Sequence, residues 1–524
     1  MRRNPNPVLS YLVTLFTVTA TASAGDFVDG RGPDPGRETP RLPRWQQAEL
    51  NSPEIVAQEV NLPPTRSLEI QPESTEGVPS DSEKIGYVEP FDKRLLPAWP
   101  FRRHDNQSAV AHVEFRSDGA CGLRLRLENF DPGARTELRF YDPAGTTVLG
   151  PFRTPRLDEE GGWWSPTIFG DTIGVELYAP DGIDNPEQAP EVTEVAFLEG
   201  GTCIWAGGTT LGCHNDVVCH ADWDDNEARA VALIYFVSGS TCHRCTGALL
   251  NRNPDDLSPL FMTANHCISS AGEADSVEVY WFYETPSCNG TPPTTPATQP
   301  RNLGSLRLKR YSAADWTLLG LYEPPVSGVY YLGWDANDWE YGETATGVHH
   351  PRGTFKRISF GESRGSSERT FCDSSGTVCH DAEVRRVRYT NGTTEPGSSG
   401  SPIFDGSRRV RGTLTGGDND CPNVSKYYGR FYLAWDHLRY YMGEADIASP
   451  VYVNSAVAGD PGNNGNSERG TAAQPFNTVH EASYAVRSND ELLIEPGNYD
   501  ERFTIWRPMT LNRSGSSGAV EIGQ

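Results

Sequence analysis

A histidine, an aspartate and a serine, met in that order, carry the chemistry this sequence can do. Ser399 stands in Gly397-Ser398-Ser399-Gly400-Ser401-Pro402, ahead of the apolar pair Ile403-Phe404. Glycine on each side lets the backbone turn tightly enough to present the Ser399 hydroxyl. The same turn can aim the amides of Gly397 and Ser399 at a developing oxyanion. Gly/Ser-rich turns are common loop punctuation, so the string alone is weak evidence. His266 ends the apolar run Phe261-Met-Thr-Ala-Asn-His-Cys267, and Asp315 opens the run Trp316-Thr-Leu-Leu319. An imidazole that accepts a hydroxyl proton, a carboxylate that holds the imidazole, and a hydroxyl that becomes a nucleophile make an acyl-transfer set. Taken singly the three read as a surface histidine, a strand-end aspartate and a loop serine. Taken together, with these flanks, they read as a catalytic triad.

The chain order His266, Asp315, Ser399 is that of chymotrypsin-like proteases and differs from the subtilisin and α/β-hydrolase orders. With it come Cys213-His-Asn-Asp-Val-Val-Cys219, Cys245-Thr-Gly-Ala-Leu-Leu250, Thr263-Ala-Asn-His-Cys267, Asp315-Trp-Thr-Leu-Leu319, His349-His-Pro351, Lys356-Arg-Ile-Ser359, Thr394-Glu-Pro-Gly-Ser-Ser-Gly-Ser-Pro402 and Tyr428-Gly-Arg430. On these strings, which agree in order and approximate spacing, residues 208–449 resemble lysyl endopeptidases of the Achromobacter protease I type, secreted bacterial serine proteases. The resemblance implies two six-stranded β-barrels with the site in the cleft between them. His266 would come from the first barrel, Asp315 from a connecting edge and Ser399 from the second. It also implies the disulfides Cys213–Cys421, Cys219–Cys288 and Cys245–Cys267, polypeptide substrates, and no metal or organic cofactor.

At the primary pocket the sequence departs from the family it resembles. Lysyl endopeptidases carry an aspartate three residues before the glycine of Tyr-Gly-Arg, and here that position is Lys426. The segment from Cys421 is also shorter, so the correspondence can slip by a few residues. The pocket candidates are Thr415, Gly416, Gly417, Asp418, Asp420 and Lys426. Asp418 and Asp420 could restore an acidic pocket, or Asp418 could face substrate backbone. Lys426 could line the pocket, favouring an acidic or neutral side chain, or could point to solvent.

Arg2-Arg3, the apolar and threonine-rich stretch Val8 to Ala22, and Ala22-Ser23-Ala24 read as a secretory signal peptide, residues 1–24, cut after Ala24. The stretch is short and polar for a membrane span. A secreted, extracellular protein is expected, with no membrane span and monomeric. The formal net charge of −25 argues against nucleic acid or an anionic membrane as partner. Export makes the eleven cysteines disulfide candidates. Cys372 and Cys379 are close enough to close a hairpin, and Cys121 and Cys203 could staple the upstream region. The odd one, Cys242, is either free or a competitor of Cys245. The pairs Cys213-His214, Cys219-His220 and Cys242-His243 lack the paired spacing of a zinc site. Asp222-Trp-Asp224-Asp225-Asn226 has calcium-loop spacing, but Glu227 stands where the turn needs glycine, so a solvated acidic loop is expected.

Plentiful glycine (52) and proline (40) with short alternating segments favour an all-β protein. Residues 25–95, rich in Pro, Glu, Ser and Arg, read as a disordered leader. Over 96–207, Leu123, Leu125 and Leu127 alternate with arginines, Leu138 and Phe140 continue the period, and Ile173, Val175 and Leu177 repeat it. That is a β-sandwich pattern, read by resemblance as a propeptide. Digestive zymogens place an aspartate just before the nucleophile; Ser398 stands there, so control by an upstream domain is expected instead. In residues 450–524, Val479, Ala482 and Val486 share a helical face. Leu492-Leu-Ile494, Phe503-Thr-Ile505, Met509-Thr-Leu511 and Val520-Glu-Ile522 read as strands resembling the first coils of a parallel β-helix. A surface-binding appendage and a stabilising cap are both open. The expected activity is that of a serine endopeptidase; the alternatives are an esterase, or a pseudoprotease working through its C-terminal segment.

Overall fold

A computed structural model of the chain describes residues 27–32, 42–66, 78–79, 82–105, 107–130, 135–153, 155–158, 160–182, 189–199, 210–253, 257–372, 379–421, 423–443, 449–457, 468–501, 503, 505, 507–515 and 517–523. The expected signal peptide and the stretch 201–209, with Cys203, lie outside them.

The N-terminal part is a sandwich of two sheets. One holds Gln58–Asn61, Ala109–Arg116, Thr172–Ala179, Glu137–Tyr141 and Val148–Phe152; the other holds Ala120–Glu128, Glu191–Glu199 and Glu83–Pro90. Leu123, Leu125 and Leu127 face Phe115, Phe140, Val175 and Leu177 across the core, as their period-two spacing demands. The arginines between them do not face water. Arg124 is buried and donates to the carbonyls of Ser165 and Ser276, 2.9 Å each. That second face packs Ile85, Val88, Trp164 and Leu198 onto Leu233, Tyr235, Val237 and Tyr280 of the next domain. The expectation of a disordered leader over 25–95 therefore fails for part of it. Gln58–Asn61 and Glu83–Pro90 are sheet strands, and Val60, Leu62, Ile85 and Tyr87 are buried. Polar composition there hides two short amphipathic strands that gain their burial from distant neighbours.

Glu83–Pro90 also pairs antiparallel with Thr241–Leu250, placing Glu83 opposite Arg244 and Tyr87 opposite Thr241. One sheet thus runs from the sandwich into the first barrel. That barrel closes through Val231–Ser238, Thr241–Leu250, Leu260–Ala264, Trp316–Leu321, Ser305–Tyr311 continuing from Arg301–Leu303, and Glu278–Tyr280. The second barrel holds Thr344–His349, Arg357–Cys372, Cys379–Asn391, Pro402–Phe404, Val410–Gly417 and Val424–Arg430, closed by pairing of the last two with each other. The fold is all-β, built on closed six-stranded barrels. Disulfides join Cys213–Cys421, Cys219–Cys288, Cys245–Cys267 and Cys372–Cys379. Cys121 is disulfide-bonded, and Cys242 is a buried free thiol. Asp222 and Asp224 fall in a short helix, Ala221–Asp224, rather than in an open acidic loop; Asp222 pairs with Arg408 at 2.7 Å.

The C-terminal segment is no loose appendage. Val451–Val453, Glu491–Ile494 and Thr510–Arg513 pair in parallel, as do Gly497–Tyr499 and Val520–Ile522. The helix is Val479–Ala485, and its Ala482 and Tyr484 join the core of the first barrel with Phe476 and Leu492. Buried Arg252 donates to the carbonyls of Tyr484 (2.6 Å) and Ala485 (3.1 Å), and the Tyr484 hydroxyl to Leu321 O (2.7 Å). Phe503 and Ile505, expected in a strand, lie outside strands.

Candidate active site

Strand Leu260–Ala264 delivers His266 to the mouth of the first barrel, and the next strand in the sheet, Trp316–Leu321, begins directly after Asp315. Asp315 is fully buried and left-handed, φ 52°, at the end of the turn Ser312–Ala314. That conformation is uncommon for a residue with a side chain and is sustained only where the surroundings hold it. Here both carboxylate oxygens are engaged by one partner: the His266 amide donates to Oδ1 at 2.9 Å, and Nδ1 of its ring to Oδ2 at 2.7 Å. Burial pushes the Asp315 carboxyl up, but the His266 charge and hydrogen bonds prevail and hold it below the usual range. The aspartate therefore fixes the ring as the Nδ1–H tautomer. The other nitrogen, Nε2, is buried and has no hydrogen-bond partner among the described residues.

Ser399 comes from the second barrel and is 4% exposed. Its loop is pinned to the first barrel through one threonine. The Thr246 amide donates to Ser399 O (2.8 Å), and the Thr246 hydroxyl donates to Gly397 O (2.9 Å). Thr246 O in turn accepts the hydroxyl of Thr263, on the strand leading to His266, at 2.9 Å. Gly400, φ 83°, is what lets the loop approach: a Cβ there would lie 2.2 Å from Thr263 Oγ1 and 2.3 Å from Thr246 O. Within the turn, Ser398 N bonds Glu395 O, Gly400 N bonds Leu414 O and Leu414 N bonds Ser401 O. The strand Val410–Gly417 thus leaves directly from beside the nucleophile loop. The buried Ser398 hydroxyl meets His349 Nδ1 at 2.9 Å.

Glu395, four residues ahead of Ser399, accepts from His214 Nε2 (2.7 Å), the Leu211 amide (2.9 Å) and Arg352 Nε (2.8 Å). Burial opposes its charge, yet these donors bring its carboxyl down to about 2. Burial lowers His214 as well, so the pair is a carboxylate held by several donors rather than a salt bridge to a firmly charged imidazole.

Of the pocket candidates, Thr415, Gly417 and Lys426 are buried, Gly416 is half-buried, and Asp418 and Asp420 are exposed. Lys426 does not reach solvent: it is 1% exposed, and its ammonium donates to Thr394 O (2.8 Å) and to Asp418 O.

Two groups near the site were not legible in the sequence. His380, on the strand after the Cys372–Cys379 bridge, stacks on His266 with ring centroids 5.7 Å apart and on Phe371 at the same distance. Its nearness to a cysteine pointed to a hairpin and not to the triad. Glu83, from the sandwich, accepts from Arg244 Nε at 2.8 Å, and its Oε2 lies 3.1 Å from where a Cβ on Gly397 would stand. Among the described residues, one group could hold a metal ion, His266, Asp315 and His380, with ligand atoms within 4.8 Å of one another. Cys213 and Cys219 are in disulfides, which removes them as thiolate ligands.

The family description "Lysyl endopeptidase, C-terminal domain" matches residues 207–432, and "Lysyl endopeptidase N-terminal domain" matches residues 90–198. A protein of Pseudomonas aeruginosa named lysyl endopeptidase is 32% identical over 332 residues, covering 60% of this chain and 70% of its own length. Among solved structures, the active form of the Rv3671c protease from M. tuberculosis is 17% identical, covering 47% of this chain and 96% of that one with a TM-score of 0.31. The HtrA-type protease AlgW with a tripeptide is 13% identical, covering 45% of this chain and 67% of that one with a TM-score of 0.30.

Proposed function

The chain belongs to the lysyl endopeptidase family and is a serine endopeptidase; from that premise we propose that Ser399, His266 and Asp315 are its nucleophile, general base and orienting carboxylate. The observation that carries this reading is the bidentate hold of Asp315 on His266, with the Ser399 loop hydrogen-bonded through Thr246 to the strand that delivers His266. With Nδ1–H given to Asp315, Nε2 takes the Ser399 proton as the hydroxyl attacks the scissile carbonyl. The amides of Gly397 and Ser399 receive the oxyanion, each donor worth about 3 kcal/mol of barrier lowering. His266 then returns the proton to the leaving amine, and water repeats the sequence on the acyl-enzyme.

Residues 25–207 act as a propeptide of a secreted zymogen. Two observations support this: the boundary between the two family domains falls between 198 and 207, and Glu83 from the N-terminal part sits beside Gly397. Bridges and the signal-like N-terminus support export, and among the described residues no helix is long and apolar enough to cross a membrane. Labelling by a serine-directed fluorophosphonate tests the mechanism. Stoichiometric modification of Ser399, abolished in His266→Ala, is expected. An unlabelled mature protein would favour the pseudoprotease reading.

A further inference from the structure

Hydrogen bonds of the loop that carries Ser399 define the walls beside it. On one side run residues 394–398, which lead into the nucleophile. On the other runs Leu414–Gly417, whose first residue exchanges backbone bonds with Gly400 and Ser401. Lys426 bridges these two walls, with its ammonium on Thr394 O and Asp418 O. It is paired in register with Gly417, and its stem lies flat on that residue, since a Cβ on Gly417 would stand 2.6 Å from Lys426 Cδ. Gly417, φ 151°, therefore makes room for the lysine stem.

We infer that the primary pocket of this protease selects an acidic side chain, glutamate or aspartate, before the scissile bond, with Lys426 as the specificity-determining residue. This deepens the triad reading and rests on it. The charge argument is direct. A substrate lysine entering between these walls would bring a second ammonium to one already fixed there, buried from water, where like charges are screened little. A substrate carboxylate meets an opposite charge instead. The nearby acids do not reverse this sign. The Glu395 carboxylate is turned to His214, Arg352 and the Leu211 amide, and Asp418 and Asp420 are exposed. His214 and His349 lie within reach of the Lys426 ammonium and are basic, and the Lys426 charge is among the influences holding both histidines down. The wall also carries an unused donor. The Thr415 hydroxyl is fully buried and has no hydrogen-bond partner among the described residues, and Thr415 sits at a bulge between Leu414 and Gly416. An incoming carboxylate can accept that proton.

The test uses the full chain, secreted and matured, with active sites titrated by fluorophosphonate. A peptide series varying only the residue before the scissile bond (Glu, Asp, Gln, Ala, Lys, Arg) is turned over, and a denatured proteome is digested and its new termini read by mass spectrometry. Expected is a preference for Glu over its isostere Gln of tenfold or more in kcat/KM, with most proteome cuts after Glu or Asp. Lys426→Gln should bring the Glu/Gln ratio close to one, and Lys426→Arg should retain it. A labelled enzyme that cuts mainly after Lys, Arg or neutral residues overturns this inference and leaves the triad standing. An enzyme that neither labels at Ser399 nor cleaves overturns the triad reading, and the inference with it. Should Lys426→Gln fail to fold, the wild-type Glu/Gln ratio alone decides.

Discussion

At the level of single residues, the site depends on groups whose charge state is set by what touches them. Ser399→Ala removes one buried hydroxyl oxygen and keeps the Cβ in place, so the fold should persist while turnover falls on the order of a millionfold. A circular dichroism spectrum and a progress curve on the same sample check both halves. Glu395 gives a pH prediction with a definite sign. Its folded carboxyl lies at about 2, below the unfolded value near 4.5. The stability it supplies is therefore complete above about pH 4.5 and is lost as pH falls from there toward 2. Glu395→Gln should cost on the order of 3 kcal/mol at pH 7, and its urea midpoint should then change little between pH 4.5 and 3. A variant that loses as much over that interval as the wild type would remove Glu395 from the account of acid sensitivity.

At the level of elements, the nucleophile loop is built for close approach to a neighbouring strand. Gly400 is both left-handed and pressed against Thr246 O and Thr263 Oγ1. Gly400→Ala should destabilise by more than about 2 kcal/mol, because a strained φ and a backbone clash act together. Thermal unfolding measures the loss. Activity should fall further than stability, since the displaced loop carries Ser399. Gly272, which has open space around its Cβ position, is the control expected to tolerate alanine. The Cys245–Cys267 bridge belongs to the same scale. It ties the strand bearing Thr246 to the residue after His266, so it holds the two halves of the site in register.

For the whole molecule, two flanking regions meet the protease in different ways. The sandwich shares a sheet with the first barrel through Glu83–Pro90 and an apolar face with Leu233, Tyr235, Val237 and Tyr280, while its inner core stays separate. Its release would uncover that face and leave the inner cores of the barrels in place. Active secreted enzyme should lack residues 25 to about 207, with cleavage between Trp205 and Gly212, a stretch whose first five residues lie outside the described ones. Amino-terminal sequencing that begins at Gly25 in fully active material would refute the propeptide assignment. The C-terminal segment shares the first barrel's core and satisfies the buried Arg252 guanidinium. A chain ending at residue 449 should then aggregate or melt far below the full chain. It would expose Ala482, Tyr484 and Leu492 contacts and strand a buried charge, a loss of several kcal/mol. Soluble expression and a melting curve settle it.

The order His266, Asp315, Ser399 with its flanks and the alternation of the sandwich were determined by the sequence alone, because each is written in local chemistry: a glycine-flanked serine, an aspartate opening an apolar run, leucines at period two. The two barrels and the three bridges followed from the resemblance those strings carry. The fate of residues whose local pattern suits water and interior equally was decided only by the tertiary structure. Arg124 and Arg126 alternate with leucines as a solvent face would, yet both are buried: Arg124 donates to Ser276 O of the first barrel, and Arg126 pairs with Asp158 of the sandwich itself. Glu83 and His380 carry no signal toward the triad, because strand pairing across long separations brings them there. Lys426 reads as either a solvated lysine or a pocket base. Its burial follows from the glycine at 417 and from two carbonyls that come from different segments, contacts that spacing along the chain does not encode.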